Sequence, residues 1–256
     1  MLSFVWVNSN NAKSSGVTNK RKQPSTDSNS SVVGKLSTLG ELVTYNADIR
    51  KEHDGKWYGF LPLESDSADD VFWVREDVFK FHDFDNKTKA ILKITYHSQN
   101  DGSSALSPND CGPASSCMML EHAGVSTTVS EFMHRAGIKH KGFTHFADNI
   151  RGIKAYNHSA EHRRPTHLSD ILTELTKGNP VFSLVYYHHL NPGQKYGHFL
   201  VAVGYEIVKN KLYIIVHDPN KEEYMRFSAQ TFAQALSYQG SNDNMPFQAM
   251  FVTSYN

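Results

Sequence analysis

The sequence predicts an α+β protein: a small all-β region at residues 1–84, then a larger region at 85–256 whose helices precede its strands. Three observations lead there. Residues 1–84 hold short runs of β-branched and aromatic residues separated by polar turns. Beyond residue 90, segments with helical spacing come before three strongly apolar runs. With 39% apolar and 20% charged residues, the 256-residue chain suits one large globular domain, or a medium one with a small companion.

In the first region Phe4-Val5-Trp6-Val7, Leu42-Val43-Thr44-Tyr45, Lys56-Trp57-Tyr58-Gly59-Phe60 and Val71-Phe72-Trp73-Val74 read as strands, and Ser31-Val32-Val33-Gly34-Lys35-Leu36 supplies another. The stretch from Asn8 to Ser31 is rich in Ser, Asn, Thr and Lys and is expected to be a long loop. All three tryptophans fall here, so the expected small barrel of five or six strands has an aromatic core. The segments Val32-Val33-Gly34-Lys35-Leu36, Lys56-Trp57-Tyr58 and Phe72-Trp73-Val74 resemble those of bacterial SH3-like domains. That resemblance implies a cell-wall-peptide binder or a spacer.

The polar linker Phe84-Asp85-Asn86-Lys87-Thr88 leads into a strand-like run, Ile91 to Ile94. Pro113 to Ala123 is a helix candidate, with proline in its first turn and Gly124 just past its end. Ser130 to Ala136 is a short helix. Leu168, Ile171, Leu172 and Leu175 have amphipathic helical spacing, ended by Gly178-Asn179-Pro180. The runs 181–186, 198–205 and 212–217 read as buried neighbouring strands, the last two joined by a hairpin at Lys209-Asn210.

Composition also excludes. Zero formal net charge and no basic stripe argue against nucleic-acid binding. No run approaches the roughly eighteen apolar residues of a membrane helix, and the N-terminal segment lacks the features of a signal peptide. A secreted or cell-envelope location is the expectation, with any signal outside this chain. The fourteen histidines are scattered, without a His-Glu-x-x-His run or a Cys-x-x-Cys pair, so neither a metal nor another cofactor is expected. Cys111 and Cys117, six apart in one helix, would lie about 9 Å apart along its axis, too far for a disulfide.

A cysteine with histidines distant in sequence raises the question of a nucleophile. Cys111 ends the turn-forming stretch Ser107-Pro108-Asn109-Asp110, and a helix begins directly after it. The first amides of a helix have no internal partner, so a sulfur there meets oriented N–H groups and the positive dipole end, a setting that favours thiolates. Gly112 leaves the flank open to substrate. Cys117, beside Met118 and Met119, is expected to be core. The base has to come from elsewhere in the fold. His198 stands at the mouth of a buried strand after Lys195-Tyr196-Gly197. A hairpin joining strands 198–205 and 212–218 sets the end of one against the start of the other, which makes Asp218 a cross-strand neighbour of His198, able to orient its ring. An oxyanion donor is also required. Gln99, separated from the cysteine by a loop of eleven residues, is one polar-loop glutamine with that capacity.

Taken together, Tyr96-x-Ser98-Gln99, Asn109-Asp110-Cys111-Gly112-Pro113-Ala114, Gly124, Gly178-x-Pro180-Val181, Gly197-His198-Phe199, Gly204-Tyr205 and Asp218-Pro219 resemble the papain-like peptidases related to double-glycine leader peptidases, over about 90–220. Leader-processing members carry the glutamine nearer the cysteine and precede an ABC transporter, so the stand-alone C39-like branch is the better likeness. The resemblance implies a cysteine peptidase with Cys111 as nucleophile, His198 as base, Asp218 as its orienting carboxylate and Gln99 as oxyanion donor. It also implies a peptide or protein substrate, with peptidoglycan stems or cross-bridges as a class. Gly112, His188 and Tyr196 are further candidates for lining the substrate groove; the His188-His189 and Tyr186-Tyr187 pairs otherwise read as solvated strand-end residues. The alternative is a silent peptide- or wall-binding module on the same scaffold. A wall hydrolase of the NlpC/P60 type typically has Asp-Cys-Ser-Gly where this chain has Asp-Cys-Gly-Pro.

Overall fold

In the computed structural model the chain divides into two compact units, residues 1–88 with 207–212, and residues 89–206 with 213–256. The structure describes residues 2–7, 17–24, 26, 30–37, 41–52, 54–62, 67–84, 87–101, 109–139, 142–237 and 248–252. Ser107-Pro108, Asp85-Asn86 and the 8–16 part of the expected long loop lie outside them.

The first unit contains β1 (Leu2–Val7), β2 (Val17–Arg21), β3 (Val32–Ser37), β4 (Glu41–Glu52), β5 (Gly55–Pro62), β6 (Phe72–Arg75) and β7 (Phe79–Asp83). They form one antiparallel sheet in the order β3-β2-β6-β5-β4-β1-β7. Side chains alternate between its faces, as strand geometry requires. Tyr58, Phe60, Phe72 and Val74 join Val5, Leu36, Val43 and Phe79 in one core, while Trp57, Val71 and Trp73 cluster separately. Phe79 meets Phe60 edge-on at 5.3 Å, an arrangement favoured by the ring quadrupoles.

β2 corrects the sequence reading, which assigned Asn8 to Ser31 to a loop. Val17–Arg21 is a strand because its backbone pairs with β3 and, at Arg21, with Trp73 of β6. Its polar composition hid it, since the strand pairing that makes it a strand does not register in local propensity.

The second unit begins with β8 (Lys89–Ile91), followed by α1 (Cys111–His122), α2 (Val129–Arg135), α3 (Phe146–Lys154), β9 (Ala160–Arg163), α4 (Leu168–Lys177), β10 (Val181–Tyr186), α5 (Tyr187–Leu190), β11 (Gly197–Val208), β12 (Lys211–His217), β13 (Met225–Ser228), α6 (Ala229–Leu236) and β14 (Ala249–Val252). The sheet order is β13-β12-β11-β10-β14-β9, with β13–β12, β11–β10, β10–β14 and β14–β9 paired antiparallel. This is helices on an antiparallel sheet, the expected fold class.

β11 is the spine. Its first half pairs with β10, from Gly197↔Tyr186 to Ala202↔Val181, and its second half pairs on with β8. Residues Phe199, Val201 and Val203 join Phe182, Ile215 and Met250 in a core shared with α1, α2 and α3. Residues of opposite parity, Val181, Val185, Leu200 and Ala202, are equally buried. They serve the other face, where α6 and α4 pack against β10.

Local signals set the helix ends. Thr128 caps α2 by accepting from Glu131 N at 3.2 Å, and Ser228 caps α6 by accepting from Thr231 N at 3.1 Å. Asp170 Oδ2 accepts from His167 N, and Gly178, at φ 90°, ends α4. Cys111 through Leu120 of α1 are all buried, as expected of a helix apolar on every side. The hairpin turn places Lys209 at φ 48° and Asn210 at φ 60°, the left-handed pair of a type I′ turn.

Gly204 sits where β8 crosses closest to β11. A Cβ there would collide with the Ala90 carbonyl oxygen and lie 2.8 Å from Ile91 Cα, both backbone atoms that cannot swing away. Gly204→Ala is therefore expected to destabilise the protein by roughly 1–3 kcal/mol through overpacking. Urea unfolding would show a lower midpoint at unchanged slope; an unchanged midpoint would refute the close approach.

Candidate active site

Cys111 opens α1, where Ala114 N closes the first helical bond on Asp110 O at 2.9 Å. The helix starts two residues earlier than the proline suggested. Gly112 is pressed against a neighbouring segment, and a Cβ there would collide with Thr144 Oγ1 and Asn149. Asn149, fully buried, ties that segment down: its Nδ2 donates to His145 O at 2.9 Å, and its Oδ1 accepts from Ser116 Oγ at 3.2 Å. So the residue after the cysteine is small for packing reasons rather than left open. The sequence reading expected Gly112 to give an open flank; the structure fills that side with Thr144.

His198 lies one residue into β11, opposite Val185 of β10. Its Nε2 is 2.7 Å from Asp218 Oδ1, with the two side chains 2% and 1% exposed. The ring also hydrogen-bonds the Cys111 side chain. Asp218 occupies Nε2, which leaves Nδ1 to face the sulfur. The three residues come from a helix start, a strand start and the residue just past β12, and the last two meet across the hairpin that joins β11 and β12.

The electrostatics follow from that contact. Burial works against a charged imidazole, but the hydrogen bonds and charges of Asp218 and Cys111 outweigh it and raise His198 to about 9. Burial likewise opposes the Asp218 carboxylate, yet the His198 bond and charge, the Tyr187 hydroxyl and the Asn220 amide together hold it below its ordinary value. Burial first, then the charges of Glu121, Asp101 and Glu131, push the Cys117 thiol far up, in keeping with a core side chain.

Gln99 follows an extended segment after β8, and its backbone N–H donates to Pro219 O at 2.8 Å. Tyr96 Oη donates to Asp218 O at 2.9 Å, and Asn100 Nδ2 to Asn220 Oδ1 at 3.3 Å. The glutamine's segment is thus fastened to the turn that carries the aspartate. Tyr196 is half-buried near the sulfur; burial first, then the charges of Cys111 and Asp218, raise its phenol. His188 is turned to its own loop, where its Nδ1 accepts from Gly193 N at 3.3 Å.

Two residues of this cluster escaped the sequence reading. Tyr187, which the sequence pattern reads as a solvated strand-end residue, is fully buried, with its hydroxyl 2.6 Å from Asp218 Oδ2 and its ring centroid 4.1 Å from that of His198. Asn220 donates its backbone N–H to Asp218 Oδ1 at 3.0 Å. Tyr187 was in principle within reach: pairing run 181–186 with run 198–205 brings the residue after Tyr186 beside His198. Among the described residues no group of His, Cys, Asp and Glu could hold a metal ion.

Residues 91–244 match the model of the Peptidase_C39 like family. The chain belongs to that family. A Bacillus anthracis protein assigned as a C39-like peptidase shares 15% identity over 65% of this chain and 98% of its own, with a TM-score of 0.46. The peptidase domain of Streptococcus ComA, a bifunctional ABC transporter of a quorum-sensing pathway, shares 14% identity over 65% of this chain and 98% of its own, with a TM-score of 0.42. UfSP from C. elegans shares 10% identity over 64% of this chain and 33% of its own, with a TM-score of 0.37. Comparison with curated proteins returns no match. No helix among the described residues is long and apolar enough to cross a membrane.

Behind the cluster lies a second histidine of opposite character. His217 is fully buried between Tyr96 and Tyr224, whose rings meet it edge-on at 5.9 and 4.5 Å. Among the described residues neither of its ring nitrogens has a hydrogen-bond partner, and burial lowers it to about 4. The unfolded chain takes up this proton near pH 6.5, while the folded protein resists it until about pH 4. The stability due to neutral His217 is therefore fully present above pH 6.5 and is lost as pH falls from there through about 4, amounting to roughly 3 kcal/mol. His217→Phe should remove that loss. From pH 7 to 4 the urea midpoint of the wild type should fall relative to that of the variant; parallel curves would contradict the assignment.

Proposed function

We propose that the C39-like unit is a cysteine endopeptidase that hydrolyses peptide bonds by acyl transfer. One observation carries the reading: a cysteine at the N-terminus of a buried helix faces an imidazole whose other nitrogen is held by a buried carboxylate. Cys111 attacks the amide carbonyl as the thiolate, paired with the His198 imidazolium. The Cys111 backbone N–H and the Gln99 side-chain amide are the proposed oxyanion donors. His198 then protonates the leaving amine, and as the neutral base it activates the water that frees the acyl enzyme. Asp218 keeps the ring in the tautomer and orientation this needs. The likeness of residues 1–84 to bacterial SH3-like domains makes cell-wall peptides the first substrate class to assay.

The test is site-resolved labelling by a thiol-directed peptidase inhibitor at neutral pH, alongside turnover of a mixed peptide library read by mass spectrometry. Label should fall on Cys111 and spare Cys117. Cys111→Ala should abolish both labelling and cleavage, and His198→Ala should slow cleavage about a hundredfold or more. Cleavage should fall off on the alkaline side near pH 9, where His198 gives up its proton. Fast labelling without any cleavage would instead identify a silent binding module. A Cys111 that labels no faster than a free thiol, unaffected by His198→Ala, would end the nucleophile assignment.

A further inference from the structure

Tyr187 is fixed beside the His198–Asp218 pair by backbone as well as side chain. The β10–β11 ladder ends at Tyr186↔Gly197, and one more bond, Tyr187 N to Tyr196 O at 3.0 Å, carries it a step further. That step delivers the Tyr187 ring to the imidazole, with centroids 4.1 Å apart and planes inclined by 32°. The hydroxyl reaches past the ring to Asp218 Oδ2 at 2.6 Å, the oxygen that His198 does not use. Asn220 Nδ2 donates to the same hydroxyl at 3.4 Å, and the Asn191 side chain bonds it as well.

The carboxylate is thereby held at both ends. Oδ1 accepts from His198 Nε2 and Asn220 N, while Oδ2 accepts from Tyr187. With Asp218 1% exposed, water is not at hand to replace a lost donor. Burial and the neighbouring Asp218 charge raise the Tyr187 phenol well above its ordinary value, so the hydroxyl keeps its proton and acts as a donor. The aromatic face against the imidazole favours the charged ring. The groups facing His198 are then Cys111, Asp218, Tyr187 and the edge of Tyr196, whose ring centroid is 6.5 Å away.

We propose that Tyr187 is a positioning residue for the cysteine–histidine pair, its hydroxyl aiming Asp218 at His198 while its ring supports the imidazolium that stabilises the Cys111 thiolate. This rests on the peptidase reading, but it concerns the charge state of the pair and so can be measured without a substrate. Because Tyr187 is fully buried and acts through two other side chains, its loss should change the pH dependence of the thiol rather than merely the amount of folded protein.

The experiment is alkylation of Cys111 by iodoacetamide at pH 6 and at pH 9.5, followed by mass spectrometry, on the full chain and on Tyr187→Phe and Tyr187→Leu. At pH 6 His198 carries its proton; at pH 9.5 it has largely given it up, so an effect that works through the imidazolium shows at the lower pH alone. Tyr187→Phe removes one charge-assisted hydrogen bond and should slow the pH 6 rate about tenfold, leaving the pH 9.5 rate within about twofold. Tyr187→Leu removes the ring as well and should slow the pH 6 rate further. The phenylalanine variant keeps the ring volume, so it decides the matter even where the leucine variant does not fold. An unchanged ratio of the two rates in Tyr187→Phe, with a fast wild type, overturns the role of Tyr187 and leaves the nucleophile standing. A wild type no faster at pH 6 than a free thiol overturns the nucleophile assignment and the Tyr187 role with it.

Discussion

An imidazole and a carboxylate 2.7 Å apart, each almost wholly out of water, set the terms for the rest of the second unit. Removing a charge from water costs several kcal/mol even after relaxation, and attraction within the pair offsets that only when the remaining lone pairs and protons are also met. The neighbourhood supplies them. Asp218 receives the Tyr187 hydroxyl on one oxygen and the Asn220 amide on the other. Its backbone is caught in the turn it begins, with Asp218 N donating to Glu222 O at 3.0 Å and Lys221 N to Asp218 O at 2.9 Å. A long hairpin, a strand ladder and a tight turn converge on one carboxylate because a buried charge tolerates little slack.

The helix that carries Cys111 meets this pair from the side, and its placement is a matter of packing. α1 is buried on all faces through its first ten residues, so it cannot slide or roll without breaking the core. At its start, Gly112 admits Thr144, and the fully buried Asn149 links Ser116 of the helix to His145. At its other end Glu121 lies 3.4 Å from His97 Nε2, on the segment that leads to Gln99. The same segment is bonded to Pro219 and Asp218 through Gln99 N and Tyr96 Oη. Helix, glutamine-bearing segment and aspartate turn thus form a closed circuit of contacts around the sulfur.

How much of this was legible in the sequence depends on range. The strands of run 198–205 and run 212–217, their left-handed turn at Lys209-Asn210 and the meeting of His198 with Asp218 were readable, because a hairpin converts local pattern into cross-strand geometry. The end of α4 at Gly178 and the burial of α1 were readable for similar reasons. β2 and β9 were not. Val17–Arg21 and Ala160–Arg163 are polar segments that become strands by pairing, the first along its length with β3 and the second with β14, far along the chain. α3 was passed over, although Phe146, Ile150 and Ile153 recur at helical spacing, because Gly152 interrupts the pattern. That glycine is there for contact: a Cβ would collide with the Phe132 ring. Tyr187 was misjudged because a tyrosine after a strand is usually solvated, and only the β10–β11 register turns it inward.

Two consecutive residues show how burial can serve opposite ends. His217 and Asp218 are both inaccessible to water, 0% and 1% exposed, the first as the last residue of β12 and the second directly after it. Successive side chains of a strand point to opposite faces, so their surroundings are independent. Asp218 meets an imidazole, a phenol and an amide, and its charge is favoured despite desolvation. His217 meets the edges of two aromatic rings, and burial keeps it neutral down to about pH 4. Tyr96 touches both, its ring against His217 and its hydroxyl on the Asp218 carbonyl; burial pushes it to about 12, so it remains a neutral donor. Burial thus decides the charge at His217 and is overcome at the next residue, and the difference lies in which side chains meet each of them.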